Sequence, residues 1–126
     1  MDLKDYFAST KGTGVLATAD AQGRVNAAVY ARPHVLENEE VAFIMPDRLT
    51  HANLQQNGQA AYLFIEAGTR ARGRRLYLTR TREEKDSPLL RSLRRRPYSE
   101  ADEEARFLVF FRVEKILPLV GPGEED

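Results

Sequence analysis

The chain has 126 residues, 42% of them hydrophobic and 30% charged, which fits a single domain over 1–126 with one modest core. It contains no cysteine, which excludes disulfides, zinc–thiolate centres and thiol catalysis. Formal net charge is zero, so the composition as a whole selects neither an acidic nor a basic partner.

Asp2 to Ser9 is expected to form a first helix, because Leu3 and Phe7 lie four apart and share a face. Gly12 and Gly14 should end it, and Val15 to Ala19 reads as a buried strand. Asp20-Ala21-Gln22-Gly23 is turn chemistry, with Gly23 able to take positive φ. The chain then returns through Arg24 to Arg32 as an antiparallel partner. After a turn at Glu37 to Glu40, Val41 to Met45 makes a third strand, and Pro46 stops its ladder. Asp47 to Gln56 has helix character with Asp47 or Thr50 as cap, and Leu49, Ala52 and Asn53 follow helical spacing.

Ala60 to Glu66 is a fourth strand, apolar enough to be buried on both faces. A Gly/Arg loop over Ala67 to Gly73 precedes a strand at Arg75 to Thr81. Glu83 to Arg95 is expected to be a second long helix with Leu89, Leu90 and Leu93 on its apolar side. Phe107 to Val113 is the last strand, with Glu114 to Val120 running out beside it. Phe110 and Phe111 must point to opposite faces, so both sides of that strand should be covered. Short strands joined by hairpin-sized turns, without connecting helices between most of them, argue against parallel winding. They favour a mainly β protein: a small antiparallel barrel with peripheral helices, whose closure removes exposed edges.

No apolar stretch approaches the roughly 20 residues that span a bilayer, and the opening MDLKDYFAST has no apolar signal core. A cytoplasmic protein is expected. Bases crowd Arg70 to Arg96, whereas acids dominate from Ser99 onward. These regions can neutralise each other within a fold or across a dimer, so nucleic acid is not a required partner. Only Tyr77 and Tyr98 lie near the basic runs, too few for an evident stacking platform.

Recognisable catalytic motifs are missing. His34 and His51 are the only histidines, with no metal-binding spacing; GxSxG, Walker and Rossmann patterns do not occur. An enzyme built from this chain would borrow its reactive group from a cofactor. The stretch IMPDRLTHANLQQN, Ile44 to Asn57, joins a strand end to a helix start. Unpaired N–H groups in that first turn, with Arg48 and the Thr50 hydroxyl beside them, suit either an anion or an ordinary capped helix.

The order VLATADAQGRVNAAVYA, VAFIMPDRLTHANLQQNGQAAYLFIE and LYLTRT resembles the pyridoxamine 5′-phosphate oxidase-like, FMN-binding split-barrel family across nearly the whole chain. The resemblance implies a small antiparallel split β-barrel of Greek-key type that pairs as a homodimer, with FMN in clefts at the subunit interface. It implies that Asn26, Ala27, Ala28, Val29 and Tyr30 lie along the flavin ring and ribityl chain. Ile44, Met45 and Pro46 would border the ring, and Arg48, Leu49, Thr50 and His51 would form the phosphate turn. Leu117 would reach over the partner's flavin. Many members of the family carry a basic pair in the turn, whereas here Leu49 separates Arg48 from Thr50, so Arg32 or Arg75 is a candidate second base.

The histidine and arginine signature of the pyridoxamine oxidases near the C-terminus is missing, so that reaction is not assigned. The resemblance implies a small FMN-dependent oxidoreductase of unknown substrate with no catalytic side chain or metal. The alternatives are a non-catalytic flavin or haem carrier, and a nucleic-acid binder using the basic 70–96 region.

Overall fold

A computed structural model describes residues 2–94 and 105–121. In chain order the elements are α1 (Leu3–Ser9), β1 (Gly12–Ala19), β2 (Val25–Val29), β3 (His34–Val35), a 3₁₀ turn (Glu37–Glu39) and β4 (Val41–Pro46). There follow α2 (Leu49–Gln56), β5 (Gln59–Glu66), β6 (Gly73–Lys85), α3 (Pro88–Leu93) and β7 (Arg106–Pro118). The strands form one antiparallel sheet in the order β2-β1-β5-β6-β7-β4-β3. Three consecutive strands, β5-β6-β7, with β4 returning beside β7, make the expected Greek key.

The sheet curls. Strands β4 and β5 are three places apart, about 14 Å in a flat sheet, yet the Phe43 and Tyr62 rings meet at 5.0 Å. Inward residues from β1 (Leu16), β4 (Phe43, Met45), β5 (Tyr62, Phe64), β6 (Leu76, Leu78) and β7 (Val109, Phe111) therefore share one core, closed at one end by Leu3 and Phe7 of α1. On the opposite face of β4 and β7, Leu90 of α3 packs on Ala42, Leu108 and Phe110. Phe110 and Phe111 are both fully buried on opposite faces, as alternation required.

The first hairpin is fixed by Asp20. Its carboxylate accepts from the backbone N–H of Gln22 and Arg24, each at 2.9 Å, and from Arg24 Nε at 2.7 Å. The Arg24 backbone and side-chain bonds hold this carboxyl below its ordinary pKa. Gly23 takes φ +81°, as the turn demanded.

Several expectations change. Gly12 and Gly14 lie inside β1 and break nothing. A Cβ on Gly14 would collide with the Tyr62 hydroxyl and lie 2.7 Å from the Tyr30 carbonyl, so glycine permits a close crossing there. Strand β5 is not buried on both faces: Ala60, Tyr62 and Phe64 point in, while Ala61, Leu63 and Ile65 are half-buried. The helix expected from Glu83 shrinks to Pro88–Leu93, with Pro88 in its first turn and the Ser87 hydroxyl accepting from Leu90 N–H at 3.1 Å. Glu83, Glu84 and Lys85 extend β6, opposite Val109, Leu108 and Phe107. Pairing with an apolar central strand overrides their helix propensity. The basic and acidic runs over 95–104, including Arg95, Arg96 and Tyr98, lie outside the described residues.

Candidate anion site at the start of helix α2

The β4 ladder ends at Pro46, and a tight turn follows, with Arg48 N–H bonded to Pro46 O at 3.0 Å. Arg48 is the N-cap, with extended backbone and no capping side chain. Neither Asp47 nor Thr50 caps the helix, contrary to expectation: Asp47 turns to His51, and Thr50 turns inward. The first-turn N–H groups thus have no side-chain acceptor, the arrangement that admits an anion.

The inner face of α2 is unusual for a helix on a barrel. Its buried residues are Thr50, His51, Asn53 and Leu54, only one of them apolar. Each polar one is held. Thr50 Oγ1 accepts from Asn26 Nδ2 of β2 at 3.4 Å, and Asn53 Nδ2 donates to Thr18 Oγ1 of β1 at 3.1 Å. The Tyr30 hydroxyl also hydrogen-bonds Thr50. Burial pushes the Tyr30 phenol up, against the opposing pull of the Thr50 bond and the nearby Arg48 charge. Asn26, Tyr30, Arg48 and Thr50 are therefore brought together by β2 and the start of α2.

The other predicted positions divide by strand alternation. Asn26, Ala28 and Tyr30 are half-buried, whereas Ala27 and Val29 open outward, Val29 to 77% exposure. Ile44 packs in the cluster under α3, Met45 is fully buried in the barrel core, and Pro46 stands half-buried at the rim. Leu49 is 58% exposed beside Arg48. Leu117 stands on β7, which does not pair with β2. The register Val29–Val15–Leu63–Arg75–Leu117 puts four strand steps between it and β2, about 19 Å along the sheet.

His51 is occupied elsewhere. Its ring is buried, stacks on Phe107 with centroids 3.8 Å apart, and faces Glu83 Oε2 at 3.0 Å and Asp47 Oδ1 at 3.5 Å. Glu83 also accepts from Gln55 Nε2 at 2.9 Å and Arg80 Nη2 at 3.1 Å. Burial raises the Glu83 pKa, but the bonds from His51, Gln55 and Arg80 outweigh it and leave the carboxyl below its ordinary value. Sequence inspection missed Glu83 because it stood in an expected helix, 32 residues from its partner.

Neither candidate second base turns to the site. Arg32 donates to the carbonyls of Phe7 at 2.7 Å and Thr10 at 3.2 Å, and Arg75 donates to those of Pro118 at 2.8 Å and Gly121. Other bases of the 70–96 run are also engaged: Arg74 lies over the Tyr6 ring, Arg80 meets Glu83, and Arg82 meets Glu84 and the Phe110 ring. A cavity of about 620 Å³ lies elsewhere, between Asn38–Glu40 and Arg112–Ile116, and none of the predicted site residues lines it.

No family model matches the chain, and no curated protein matches its sequence. Solved structures do match. An FMN-binding protein from Syntrophomonas wolfei is 19% identical with TM-score 0.74, covering 95% of this chain and 85% of that one. A candidate pyridoxamine 5′-phosphate oxidase from Lactobacillus delbrueckii is 15% identical with TM-score 0.65, covering 93% and 92%. A candidate flavin reductase with a split barrel domain, from Shewanella frigidimarina, is 10% identical with TM-score 0.54, covering 86% and 67%. The curled antiparallel sheet described above is thus the split-barrel fold, shared with proteins of flavin chemistry.

Proposed function

We propose that this protein binds FMN at the β2–α2 corner and acts, as a homodimer, as a small FMN-dependent oxidoreductase. The observation that carries this reading is the convergence of Arg48, Thr50, Asn26 and Tyr30 on an uncapped helix start within the split-barrel fold. The Arg48 guanidinium and the first-turn N–H groups hold the phosphate. Asn26 and Tyr30 supply polar contacts, and Ala27 and Ala28 let a flat ring approach the strand. Bound FMN supplies hydride or electron transfer; the chain positions it and limits access to it.

The outward face of the sheet supports the dimer. Val25 and Val29 are 82% and 77% exposed, and the register sets Val15, Ala17, Ala61, Leu63 and Tyr77 in rows beside them. A second copy covering this face would bury the apolar rows and could bring its own Leu117 to the cleft. Haem is the weaker alternative, because His51 is held by Glu83 and Phe107 rather than presented as an axial ligand. A flavin carrier without turnover differs from an enzyme only in reactivity, and steady-state oxidation of NAD(P)H with an organic acceptor separates the two.

Arg48→Ala is expected to raise the FMN Kd by roughly 10- to 100-fold, the worth of a hydrogen bond to a charged group. Arg70→Ala, on an exposed loop, should leave it unchanged. Fluorescence titration of FMN checks this, and equal effects from the two substitutions would move the phosphate away from the turn.

A further inference from the structure

We infer that Glu83, acting through His51, is a positioning residue that sets the first turn of α2 and thereby its affinity for the cofactor phosphate. The inference rests on the FMN reading above and adds a group that no part of the phosphate turn suggests.

Helix α2 begins without a capping side chain, so nothing in its own first turn fixes the direction of its free N–H groups. The restraint comes from the barrel. His51, the third residue of the helix, is clamped on three sides: Phe107 of β7 lies flat against the ring, Glu83 of β6 meets Nε2, and Asp47 of the preceding turn faces Nδ1. Glu83 is held in turn by Arg80 on its own strand and by Gln55 one helical turn after His51. One carboxylate thus grips α2 at two points, His51 and Gln55, four residues apart on the same helix face.

On the other side of the same turn, Thr50 accepts from Asn26 and donates toward the Tyr30 hydroxyl oxygen. Consecutive residues Thr50 and His51 therefore pin the helix start between β2 and β6. Release of the His51 side would let Arg48 and the adjacent N–H groups shift relative to β2. A phosphate needs those donors aligned, whereas an isoalloxazine ring resting on β2 does not.

FMN and riboflavin differ only in the phosphate, so their separate affinities isolate the positioning role. Glu83→Ala is expected to weaken FMN roughly tenfold with riboflavin affinity unchanged, and Glu83→Gln, which keeps an acceptor for His51, should restore most of the loss. His51→Ala should repeat the Glu83→Ala effect, and the double variant should add little to either alone. Equal loss for both flavins, or no loss for either, would overturn the inference.

If the wild-type protein takes up neither flavin, the FMN reading fails, and amide hydrogen exchange in the flavin-free protein decides the positioning role by itself. Faster exchange at Ala52 and Asn53, the first bonded amides of α2 (Ala52 N–H to Arg48 O, 2.9 Å), in Glu83→Ala, reversed in Glu83→Gln and absent from the β5 core, supports it. Unchanged exchange at those amides overturns it. Should Glu83→Ala fail to fold, the His51→Ala and Glu83→Gln pair carries the same comparison.

Discussion

At the level of single residues, near neighbours in the chain set backbone conformation, whereas side-chain partners come from distant strands. Gly23 was legible as a positive-φ turn residue because its neighbours are turn formers. Gly14 was not, because the reason for it is Tyr62, a residue 48 positions away whose hydroxyl donates to the carbonyls of Tyr30 and Ala31, both at 3.1 Å. His51 shows the same limit: its type was noted, while its bond to Glu83 depends on the fold. The turn between β3 and β4 carries a local conflict. Asn38 and Glu39 have φ of 64° and 61°, and asparagine tolerates that region far better than glutamate. Glu39→Gly should therefore stabilise the protein by about 0.5–1 kcal/mol, after the entropy that glycine adds to the unfolded chain. Urea denaturation would show it as a higher midpoint at unchanged slope.

At the level of elements, the strands were legible and the helix contents less so. Alternation and turn residues located β1, β2, β4, β5 and β7 to within a few residues, and the Leu3–Phe7 spacing located α1, which Asp2 caps rather than begins. The C-terminal part of β6 was hidden because Glu83-Glu84-Lys85 has helical composition, and only the facing strand β7 decides its state. Helix α2 was found, but its capping and its buried face were not, since that face is polar and satisfied by side chains from other strands.

Helix α1 gives a pH-dependent test of docking. The Tyr6 hydroxyl donates to Glu66 Oε2 at 2.7 Å, and burial, this bond and the Glu66 charge raise its pKa from the ordinary 10.0 to about 12. A folded value above the unfolded one contributes stability that is fully present below pH 10.0 and is lost as pH rises through about 12. Tyr6→Phe should flatten that alkaline loss, measured as the melting temperature across this window. An unchanged alkaline limb would mean that the Tyr6–Glu66 contact does not hold in solution.

For the whole molecule, the split barrel was legible through motif order, and the structure agrees in topology. The sheet curls, but β2 and β3 stay edge strands, so closure does not remove the edges as expected. The proposed dimer was legible only through the family resemblance, because alternation does not say which apolar face meets solvent and which meets a second copy. The physical case for it lies in Val25 and Val29, exposed on an edge strand and continuous with apolar rows on β1 and β5. Val29→Lys is expected to shift the sedimentation profile from dimer to monomer and to lower FMN uptake with it. A variant that stays dimeric with full uptake would place the interface on another surface. No helix among the described residues is long and apolar enough to cross a membrane.

The central claim is that the β2–α2 corner holds the phosphate of FMN. Titration of dialysed wild-type protein with FMN and with riboflavin tests it most directly. The expected result is saturable uptake of one FMN per chain, with riboflavin bound at least tenfold more weakly, about 1.4 kcal/mol. Equal affinity for the two flavins, or no uptake of FMN up to roughly millimolar concentration, would contradict it.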